Sequence, residues 1–430
     1  MYREIRDPVH GPIGLCAGEL AVVDTVTYQR LRNIRQLGFA EMTFPGATHN
    51  RYVHGLGAMF IAGKAFDAVF RDATWMSSGV RDRLRQTVRL AALLHDIGHP
   101  PLSHAAERML PKLSAVNEVW KSETRQATHE DMTLALLLWG ELSDVIDRQW
   151  NVLGIRSVHV AALIHADFPM DSPEPFVVQG RNLRPVLSQL VSSELDVDRM
   201  DYLLRDSYYT GVSYGRYDLD WLVGGLTIHT DETNDVYLAL HSRALLTFED
   251  FLLSRLHMFL MVYFHHRTNA YDRMLERFFE TLGTDVTLPG GIQHYVETDD
   301  TSLMELLRHH RSNNWADRIL RHAPLPRVVD LSGPHEQAAQ SVIDYELRRI
   351  GVEPEWITSH GILSKYQCRD TASLPLFVIA ERANGKTEAV LLKDATDLFR
   401  RYRDSTVLVR LHTAETDRDI ARSVVSRVLA

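Results

Sequence analysis

The stretch LLHDIGHPPLSH, residues 93–104, places a histidine and an aspartate side by side at the end of an apolar run. Apolar residues before it recur at steps of three and four, which predicts a helix with His95 on its buried face. Gly98 and the proline pair after His99 predict the end of that helix. One ion near the helix end could contact both His95 and Asp96. The alternative is a core histidine that bonds a backbone carbonyl, next to an aspartate of no special role.

The composition is that of an ordinary globular protein, with 45% hydrophobic and 24% charged residues in a chain of 430. Cys16 and Cys368 are far apart, which argues against a disulfide framework or a cysteine-rich zinc site. The net charge of −9 argues against extensive coating of nucleic acid, so nucleic-acid binding is left open but is not predicted. The N-terminus MYREIRDP lacks the apolar segment of a secretory signal, and no apolar run has the length of a membrane span. We therefore expect a cytoplasmic protein without a membrane partner.

The hydrophobic pattern predicts a mainly α-helical chain with a smaller C-terminal α+β lobe. Residues 20–290 read mostly as helices, including one long apolar helix over 247–282. The pattern changes after HAPLPR, where VVDLS, PLFVIAE, TEAVLLKD and STVLVRLHT read as strands and DRDIARSVVSRV reads as a helix. We expect a helical core over residues 1–327 and an α+β lobe over 328–430 that serves assembly or regulation.

Two further segments concentrate polar residues on predicted helices. GATHNRYVHGLG (46–57) places Arg51 and His54 three residues apart at a helix start among small residues. In SELDVDRMDYLLRD (193–206), the acidic residues and the last arginine fall on one predicted helix face; they are Glu194, Asp198, Asp201 and Arg205. The alternative is a solvated face on which Asp201 and Arg205 form an ordinary ion pair one turn apart.

Five blocks of the sequence follow one another in the order seen in one enzyme family. They are RDPVHGPIGL (6–15), TYQRLRNIRQLG (27–38), FPGATHNRYVHGLG (44–57), ALLHDIGHPPLSH (92–104) and LDVDRMDYLLRD (195–206). The chain resembles the HD-domain phosphohydrolases, and among them the dGTPase-like deoxynucleoside triphosphate (dNTP) triphosphohydrolases, the branch that includes the vertebrate enzyme fused to a sterile alpha motif. The resemblance covers roughly residues 4–330 and implies an HD-domain helical core.

The resemblance implies a divalent metal ion held by His54, His95, Asp96 and Asp198. Two imidazoles and two carboxylates suit Mn, Fe, Mg, Ni or Zn, and the ligand types alone do not choose among these metals. Four protein ligands leave room in an octahedral shell for water, whose pKa the metal would lower.

The resemblance also implies catalytic residues beside the metal. Protonation of the departing 5′ oxygen needs a donor with a near-neutral pKa, and His99, His104 and His129 match active-site histidines of related enzymes. Glu107 stands where those enzymes usually carry an aspartate that orients His129.

The substrate contacts that the resemblance implies come from several blocks. They are Arg51 and Arg199 for the phosphates, Gln36 and Asp206 for the sugar 3′-hydroxyl, Leu37 where a 2′-hydroxyl would lie, and Tyr202 and Tyr271 along the sugar pocket. Thr268 and Asn269 occupy positions where related enzymes carry basic residues. A nucleotide with fewer phosphates is therefore an alternative substrate.

Two residues correspond to an activator site of nucleotide-activated relatives. Asp24 and Arg32 match residues that read guanine there, although Arg6 replaces the asparagine common in that site. Because the site lies between subunits in those relatives, the resemblance implies a nucleotide activator and a homo-oligomer. The alternative is that Asp24 caps a helix and Arg32 faces solvent.

The predicted activity is metal-dependent hydrolysis of dNTPs to deoxynucleoside and triphosphate, by attack of metal-bound water on the α-phosphorus. Two alternatives stay open. One is an HD phosphohydrolase that acts on nucleoside mono- or diphosphates or on modified nucleosides. The other is a catalytically silent, nucleotide-sensing assembly protein.

Overall fold

The structure, a computed structural model, describes residues 3–283, 287–364, 374–381, 387–402 and 406–430. Cys368 lies outside the described residues. The helices are α1 (Ala17–Val23), α2 (Val26–Gln29), α3 (Arg51–Val69), α4 (Ser78–Leu94), α5 (His129–Trp139), α6 (Glu141–Gln149), α7 (Ser157–Ile164), α8 (Arg184–Val191), α9 (Val197–Thr210), α10 (Leu219–Gly224), α11 (Leu245–Met258), α12 (His266–Leu282), α13 (Ile292–Tyr295), α14 (Asp300–His309), α15 (Asn314–Leu320), α16 (Gly333–Ala338), α17 (Gln340–Arg349), α18 (Leu392–Ala395), α19 (Leu398–Arg401) and α20 (Arg418–Leu429).

The strands are shorter and fall mainly at the two ends of the chain. They are β1 (Arg3–Asp7), β2 (Gly11–Leu15), β3 (Val177–Val178), β4 (Arg181–Asn182), β5 (Leu226–Thr230), β6 (Val236–His241), β7 (Arg327–Leu331), β8 (Glu355–Gly361), β9 (Phe377–Glu381), β10 (Thr387–Leu391) and β11 (Thr406–His412). The predicted fold class, mainly α with a C-terminal α+β region, is confirmed.

Helix α3 lies at the centre of the core and packs against both α4 and α9. Its apolar side chains are buried on several sides, among them Leu56, Met59 and Phe66. Each large apolar side chain that folding removes from water stabilises the core by about 1.5 to 3 kcal/mol. The close packing of these three helices brings their polar residues together at one point.

Local capping signals set where the site-bearing helices begin. Asn50 caps α3 by accepting a hydrogen bond from the Val53 amide, so the helix starts at Arg51. Thr128 and Asp131 form a capping box at the start of α5, which makes His129 the first helical residue.

The start of α9 corrects one expectation. Asp196 is the N-cap, because its side chain accepts a hydrogen bond from the Arg199 amide. Glu194 therefore precedes the helix and does not share its face. The remaining three residues of that predicted set, at 198, 201 and 205, lie on α9.

The long helix expected over 247–282 is interrupted, and this prediction is wrong. After α11 the chain forms a π-helical turn over Phe259–Tyr263 and then leaves the helix at Phe264. His265 is extended and its ring accepts a hydrogen bond from the Arg267 amide, so it caps the new helix α12. Single π-helical turns occur often at functional sites.

Two sheets contain the C-terminal strands. The three-stranded antiparallel sheet has the order β7-β11-β8 and packs with α17 and α20 around its own apolar cluster. The four-stranded sheet has the order β10-β9-β6-β5, in which β9 pairs parallel to β6 with Phe377 opposite Ala239. The division of the chain at 327/328 stays a prediction, and β9 and β10 lie on the same sheet as strands of the helical region.

Among the described residues, no helix combines the length and the apolar character needed to cross a bilayer.

Candidate active site

The four predicted metal ligands converge from three helices. His54 lies on α3, His95 and Asp96 follow the end of α4, and Asp198 lies on α9. His54 Nε2 is 3.1 Å from Asp198 Oδ1 and 3.5 Å from Asp96 Oδ2. His95 Nε2 is 3.4 Å from Asp198 Oδ1 and from Asp96 Oδ1. The structure therefore brings all four side chains around one point.

The donor set fits a divalent cation. The buried Nε2 atoms of His54 and His95 have no hydrogen-bond partner among the described residues. His95 is oriented by its other ring nitrogen, which lies 2.8 Å from the Ala92 carbonyl. Two imidazole nitrogens and two carboxylates with unused lone pairs are ligands that several divalent metals accept. The residues present thus fit the predicted metal.

Electrostatics at this point favour a positive charge. Burial lowers the pKa of His54, but the close contact with Asp198, the hydrogen bond with Asp201 and the charges of both carboxylates outweigh it and raise the pKa to about 10. Burial raises the pKa of Asp198, whereas His95 and His54 lower it, and the net pKa is below the usual value. A bound cation would take the place of the imidazole protons that these carboxylates attract.

A buried network behind the cluster orients His54. Its Nδ1 lies 2.8 Å from Asp201 Oδ2, and His10 Nε2 lies 2.6 Å from the other oxygen of Asp201. Arg205 donates to both oxygens of Asp201, at 2.8 and 2.9 Å, and to Asp7 at 2.8 Å. Such carboxylate partners fix the ring orientation of a metal-binding histidine.

His10 was not identified as a supporting residue from the sequence. It lies in the first block, 191 residues from Asp201. The block itself was the available signal, but no local pattern reveals a partner at such a separation.

The three predicted catalytic histidines form a second group around Glu107. His129 Nδ1 lies 2.5 Å and His104 Nδ1 3.2 Å from the two Glu107 oxygens. The His99 ring stacks on His129 with 4.0 Å between centroids, and its Nε2 is 3.3 Å from Asp96. The longer glutamate side chain thus reaches His129. The nitrogens of His99, His104 and His129 are also close enough to hold a second ion.

The charges of this second group differ from those of the metal cluster. Burial and the Arg51 charge lower the pKa of His99 well below 6.5, so its ring is neutral at pH 7. Burial raises the pKa of Glu107, but hydrogen bonds with His104 and His129 lower it by more. The net pKa is below the usual value, so the carboxylate stays ionised.

Both groups open into a cavity of about 520 Å³. Predicted residues that line it are Gln36, Leu37, Arg51, Asp96, His99, His104, His129, Asp198, Tyr202 and Asp206. Thr268, one of the two positions where a basic residue was expected from the resemblance, also lines it, as does Asp272. Burial, with Glu276 nearby, raises the pKa of Asp272 to about 7.

Two predicted substrate contacts lie elsewhere. Arg199 is buried and pairs with Asp196 at 2.7 Å, so its guanidinium does not line the cavity. Tyr271 is fully buried and stacks on Phe39 with 5.3 Å between ring centroids. Neither Arg199 nor Tyr271 lines the cavity in this structure, and their assignment to substrate contacts stays a prediction.

Arg51 is held in the cavity wall by two contacts. Its guanidinium forms a close ion pair with Asp96, and its Nε donates to Ser103 Oγ at 2.8 Å. Leu102 and Ser103 both have positive φ, 54° and 56°, a conformation that costs side-chain-bearing residues energy. The Leu102 amide donates to Asp300 at 2.7 Å, which helps to hold this conformation.

At the predicted sugar end, Asp206 accepts two short hydrogen bonds. Tyr263 Oη donates to Asp206 Oδ2 at 2.7 Å, and His49 Nε2 lies 2.7 Å from Oδ1. Burial and Asp206 raise the pKa of Tyr263 well above 10, so the hydroxyl keeps its proton and donates. Gln36 Oε1 is buried without a hydrogen-bond partner among the described residues. Tyr263 was missed because it falls inside the helix that was expected to be continuous. His49 was missed because its partner Asp206 lies 157 residues away in the sequence.

The predicted activator residues lie apart from the cavity lining. Asp24 is the C-cap of α1 and is exposed. The Arg32 guanidinium lies 3.6 Å from the centroid of the Tyr52 ring, and its Nε donates to Gln29 at 2.7 Å. The activator site and the homo-oligomer stay predictions.

Comparisons with known proteins agree with this geometry. The HD domain family model matches residues 51–206, and the HD associated region matches residues 218–348. The chain therefore belongs to the HD-domain family. Within that family it is similar to the deoxynucleoside triphosphate triphosphohydrolases.

Relatives and solved structures give the extent of the likeness. Uncharacterized protein YwfO of Bacillus subtilis is 32% identical over 273 residues, 63% of this chain and 54% of that one. The deoxynucleoside triphosphate triphosphohydrolase SAMHD1 of Homo sapiens is 31% identical over 218 residues, 48% of this chain and 33% of that one. A hypothetical protein from Aquifex aeolicus has the same fold, with a TM-score of 0.75 at 23% identity, and the match covers 99% of this chain and 100% of that one. A phosphohydrolase from Bacteroides thetaiotaomicron also has the same fold, with a TM-score of 0.68 at 22% identity, and the match covers 96% of this chain and 100% of that one. The chain spans about half the length, or less, of the curated relatives it matches.

Proposed function

We propose that the chain is a metal-dependent phosphohydrolase that converts dNTPs to deoxynucleoside and triphosphate. The observation that carries the proposal is the convergence of His54, His95, Asp96 and Asp198 beside the cavity, which Asp96 and Asp198 line. The similarity to proteins named deoxynucleoside triphosphate triphosphohydrolases supports the choice of substrate.

The residues around the cavity divide the work of the reaction. A divalent ion on the four ligands would supply a water of lowered pKa and polarise a phosphoryl oxygen. His129 and His104 share the Glu107 carboxylate, which orients both rings, so either one is placed to protonate the departing 5′ oxygen. His99 is neutral and lies between this group and Asp96, where it can accept a hydrogen bond.

Arg51 and the loop at Leu102–Ser103 shape the phosphate end. The Arg51 guanidinium faces the cavity beside the ion cluster and is the residue best placed to grip a phosphate. Leu37 lines the cavity and would occupy the space of a 2′-hydroxyl, which would favour a deoxyribose.

A second candidate is a nucleotide with fewer phosphates. Among the described residues that line the cavity, Arg51 is the single arginine or lysine, whereas Glu130 adds a carboxylate. A triphosphate bears more charge than one guanidinium and one divalent ion neutralise. A nucleoside mono- or diphosphate would need fewer cations.

A substrate panel tests these proposals. The purified protein is incubated with dGTP, dATP and the corresponding mono- and diphosphates, in the presence of Mn or Mg, and the products are separated by ion-exchange chromatography. Deoxynucleoside with inorganic tripolyphosphate is expected. If only pyrophosphate or orthophosphate forms from a dNTP, the triphosphohydrolase proposal is rejected.

The metal site has its own test, which does not depend on turnover. Asp96→Asn removes one charged ligand and is expected to lower bound metal, measured by elemental analysis, together with activity. Asp67→Asn is the matched control, because Asp67 forms an exposed ion pair with Arg85 far from the cluster. Equal metal content and equal turnover in the two variants would place catalysis elsewhere.

A further inference from the structure

The C-terminal sheet contacts the cavity wall at the break between α11 and α12. Arg410, in β11, is 7% exposed and donates from Nη1 to the Phe264 carbonyl at 2.5 Å. Phe264 follows the π-helical turn and lines the cavity. A residue of the C-terminal sheet is thus bonded to backbone that forms part of the cavity.

The same sheet is fastened along α12 by strand β8. Asn269 donates to Ser359 Oγ at 2.9 Å, one turn into the helix. Further on, Arg273 and Arg277 both pair with the buried Glu355, at 2.9 and 2.7 Å. The sheet therefore follows the helix for about three turns, and Arg410 contacts the backbone just before the helix starts.

The Phe264 carbonyl needs a donor because the chain leaves the helix there. The first backbone bond at the start of α12 goes from Asn269 to the His265 carbonyl, one residue later. Carbonyls at a helix break are satisfied by side chains, by water or not at all. A guanidinium is a strong donor to such a group, since charged donors form shorter and stronger bonds.

We propose that Arg410 is a positioning residue for the sugar end of the cavity. It fixes the Phe264 carbonyl, and the adjacent residue Tyr263 donates at 2.7 Å to Asp206. Asp206 is held on its other oxygen by His49, so the direction of Tyr263 decides how the carboxylate faces a ligand hydroxyl. The proposal rests on the proposed nucleotide hydrolysis and assigns to Asp206 the 3′-hydroxyl of that substrate.

Arg410 does not line the cavity, so its removal changes sugar recognition only through Tyr263. The first experiment compares kcat/KM for a deoxynucleotide and for its 2′,3′-dideoxy counterpart. In the unaltered protein we expect the deoxynucleotide to be preferred. Arg410→Met is expected to reduce that preference about tenfold, chiefly through KM, and Arg410→Lys to restore most of it.

Arg327→Met is the matched control. Arg327 lies in the neighbouring strand β7 and pairs with Asp330 at 2.7 Å, the same carboxylate that lies 3.4 Å from Arg410 Nε. The Arg327→Met substitution removes an equal charge from the same sheet but leaves the hydrogen bond from Arg410 to Phe264 in place. An equal loss of sugar preference in Arg327→Met, or an unchanged preference in Arg410→Met, overturns the proposal.

Tyr263→Phe supplies a thermodynamic check on the route. It removes the hydroxyl that contacts Asp206, so the combined Arg410→Met/Tyr263→Phe variant should lose no more sugar preference than Tyr263→Phe alone. Fully additive losses would show that Arg410 acts by another route and would overturn the proposal. If Arg410→Met does not fold, Arg410→Gln, which keeps a polar group beside Asp330, takes its place.

Hydrogen exchange separates this proposal from the proposed function. Amides of residues 259–264 should exchange faster in Arg410→Met than in Arg327→Met, because the backbone loses its side-chain donor. If the unaltered protein hydrolyses no nucleotide, the proposed function fails, while the exchange rates still decide whether Arg410 holds this segment. Unchanged exchange in Arg410→Met overturns the positioning role.

Discussion

Gly57 lies where α3 passes closest to the buried Asp201–Arg205 pair. A Cβ added to Gly57 would overlap Asp201 Oδ1 and Arg205 Nη2. We predict that Gly57→Ala destabilises the fold by about 3 kcal/mol or more, because the overlap displaces a fully buried ion pair. It should also weaken metal binding at least about tenfold, because Asp201 orients His54. Chemical denaturation and metal titration measure the two effects.

Gly79→Ala is the control for that substitution. Gly79 is also helical, but a Cβ there meets nothing within 4 Å. Alanine at an open helical position should be neutral or stabilise the fold by up to about 1 kcal/mol. If both variants unfold at the same denaturant concentration, close packing is not what requires glycine at position 57.

Asp300 makes the stability of the fold depend on pH. Burial raises its pKa to about 6, although the amides of Leu102 and Arg35 donate to it. In the unfolded chain the same group loses its proton near pH 4. Stability therefore falls as pH rises from about 4 to about 6, by about 2 to 4 kcal/mol, and no longer depends on this group above that range. The difference in unfolding free energy between the natural chain and Asp300→Asn, followed from pH 4 to 7, measures this, and parallel curves would contradict it.

Single residues could be predicted where their blocks carry a recognisable order. The four candidate ligands, the three histidines and Arg51 were named in this way; the structure brings the four ligands together, and Asp96, Asp198, the three histidines and Arg51 line one cavity. His10, His49 and Tyr263 could not be named, because each acts through a partner more than 50 residues away. Arg199 was predicted to contact phosphate, but in the structure its guanidinium pairs with Asp196, three residues before it, and does not line the cavity.

At the scale of elements, the cap of α5 positions a candidate catalytic group. Thr128 accepts a hydrogen bond from the Asp131 amide, and His129 is the next residue. We predict that Thr128→Ala lowers stability by about 1 kcal/mol and lowers activity further, since the first turn frays under His129. Thermal unfolding and turnover assays measure the two effects.

Ser77→Ala is the matched substitution at another helix start. Ser77 is the N-cap of α4, but its side chain makes no capping hydrogen bond. Its replacement should change neither stability nor activity appreciably. A loss equal to that of Thr128→Ala would mean that the capping bond is not the cause.

Helix starts were more predictable than helix interruptions. Asn50 and Thr128 are residue types that favour the start of a helix, and they cap α3 and α5. The Gly98–Pro101 segment contains the residues that end a helix, and it follows α4. The π-helical turn at Phe259–Tyr263 contains neither glycine nor proline, so the hydrophobic periodicity predicts a continuous helix there. Long-range contacts lie at its C-terminal side, where Tyr263 donates to Asp206 and Arg410 donates to the Phe264 carbonyl.

At the scale of the whole molecule, the C-terminal strands take part in the main core. Leu376 and Val378 belong to the same apolar cluster as Leu190 and Leu240 of the helical region. We predict that a chain ending at residue 327 aggregates, because β6 loses its partner β9 and apolar side chains become exposed. Light scattering and thermal unfolding measure this.

A chain ending at residue 413 is the comparison. It lacks α20 and loses part of the separate cluster behind the three-stranded sheet, but keeps the pairing of β9 with β6. It should retain the cooperative unfolding of the main core. If the chain ending at residue 327 is equally well folded, residues 1–327 fold without the C-terminal region, as the predicted division at 327/328 implies.

The sequence predicted that the C-terminal region mixes strands with helices, but not which strands pair. Alternation of apolar residues predicts a strand, but it does not predict which other strand pairs with it. The parallel pairing of β9 with β6 joins segments more than 130 residues apart and depends on the packing of everything between them. Architecture at this scale therefore had to come from the structure.

The charges on the cavity wall have a kinetic consequence. Asp96 pairs with Arg51, while Glu130, Asp198 and Asp206 line the same cavity, so without a cation the phosphates of an incoming nucleotide meet three further carboxylates. Substrate addition should then be ordered, with the cation entering first and reversing the local potential that the phosphates meet.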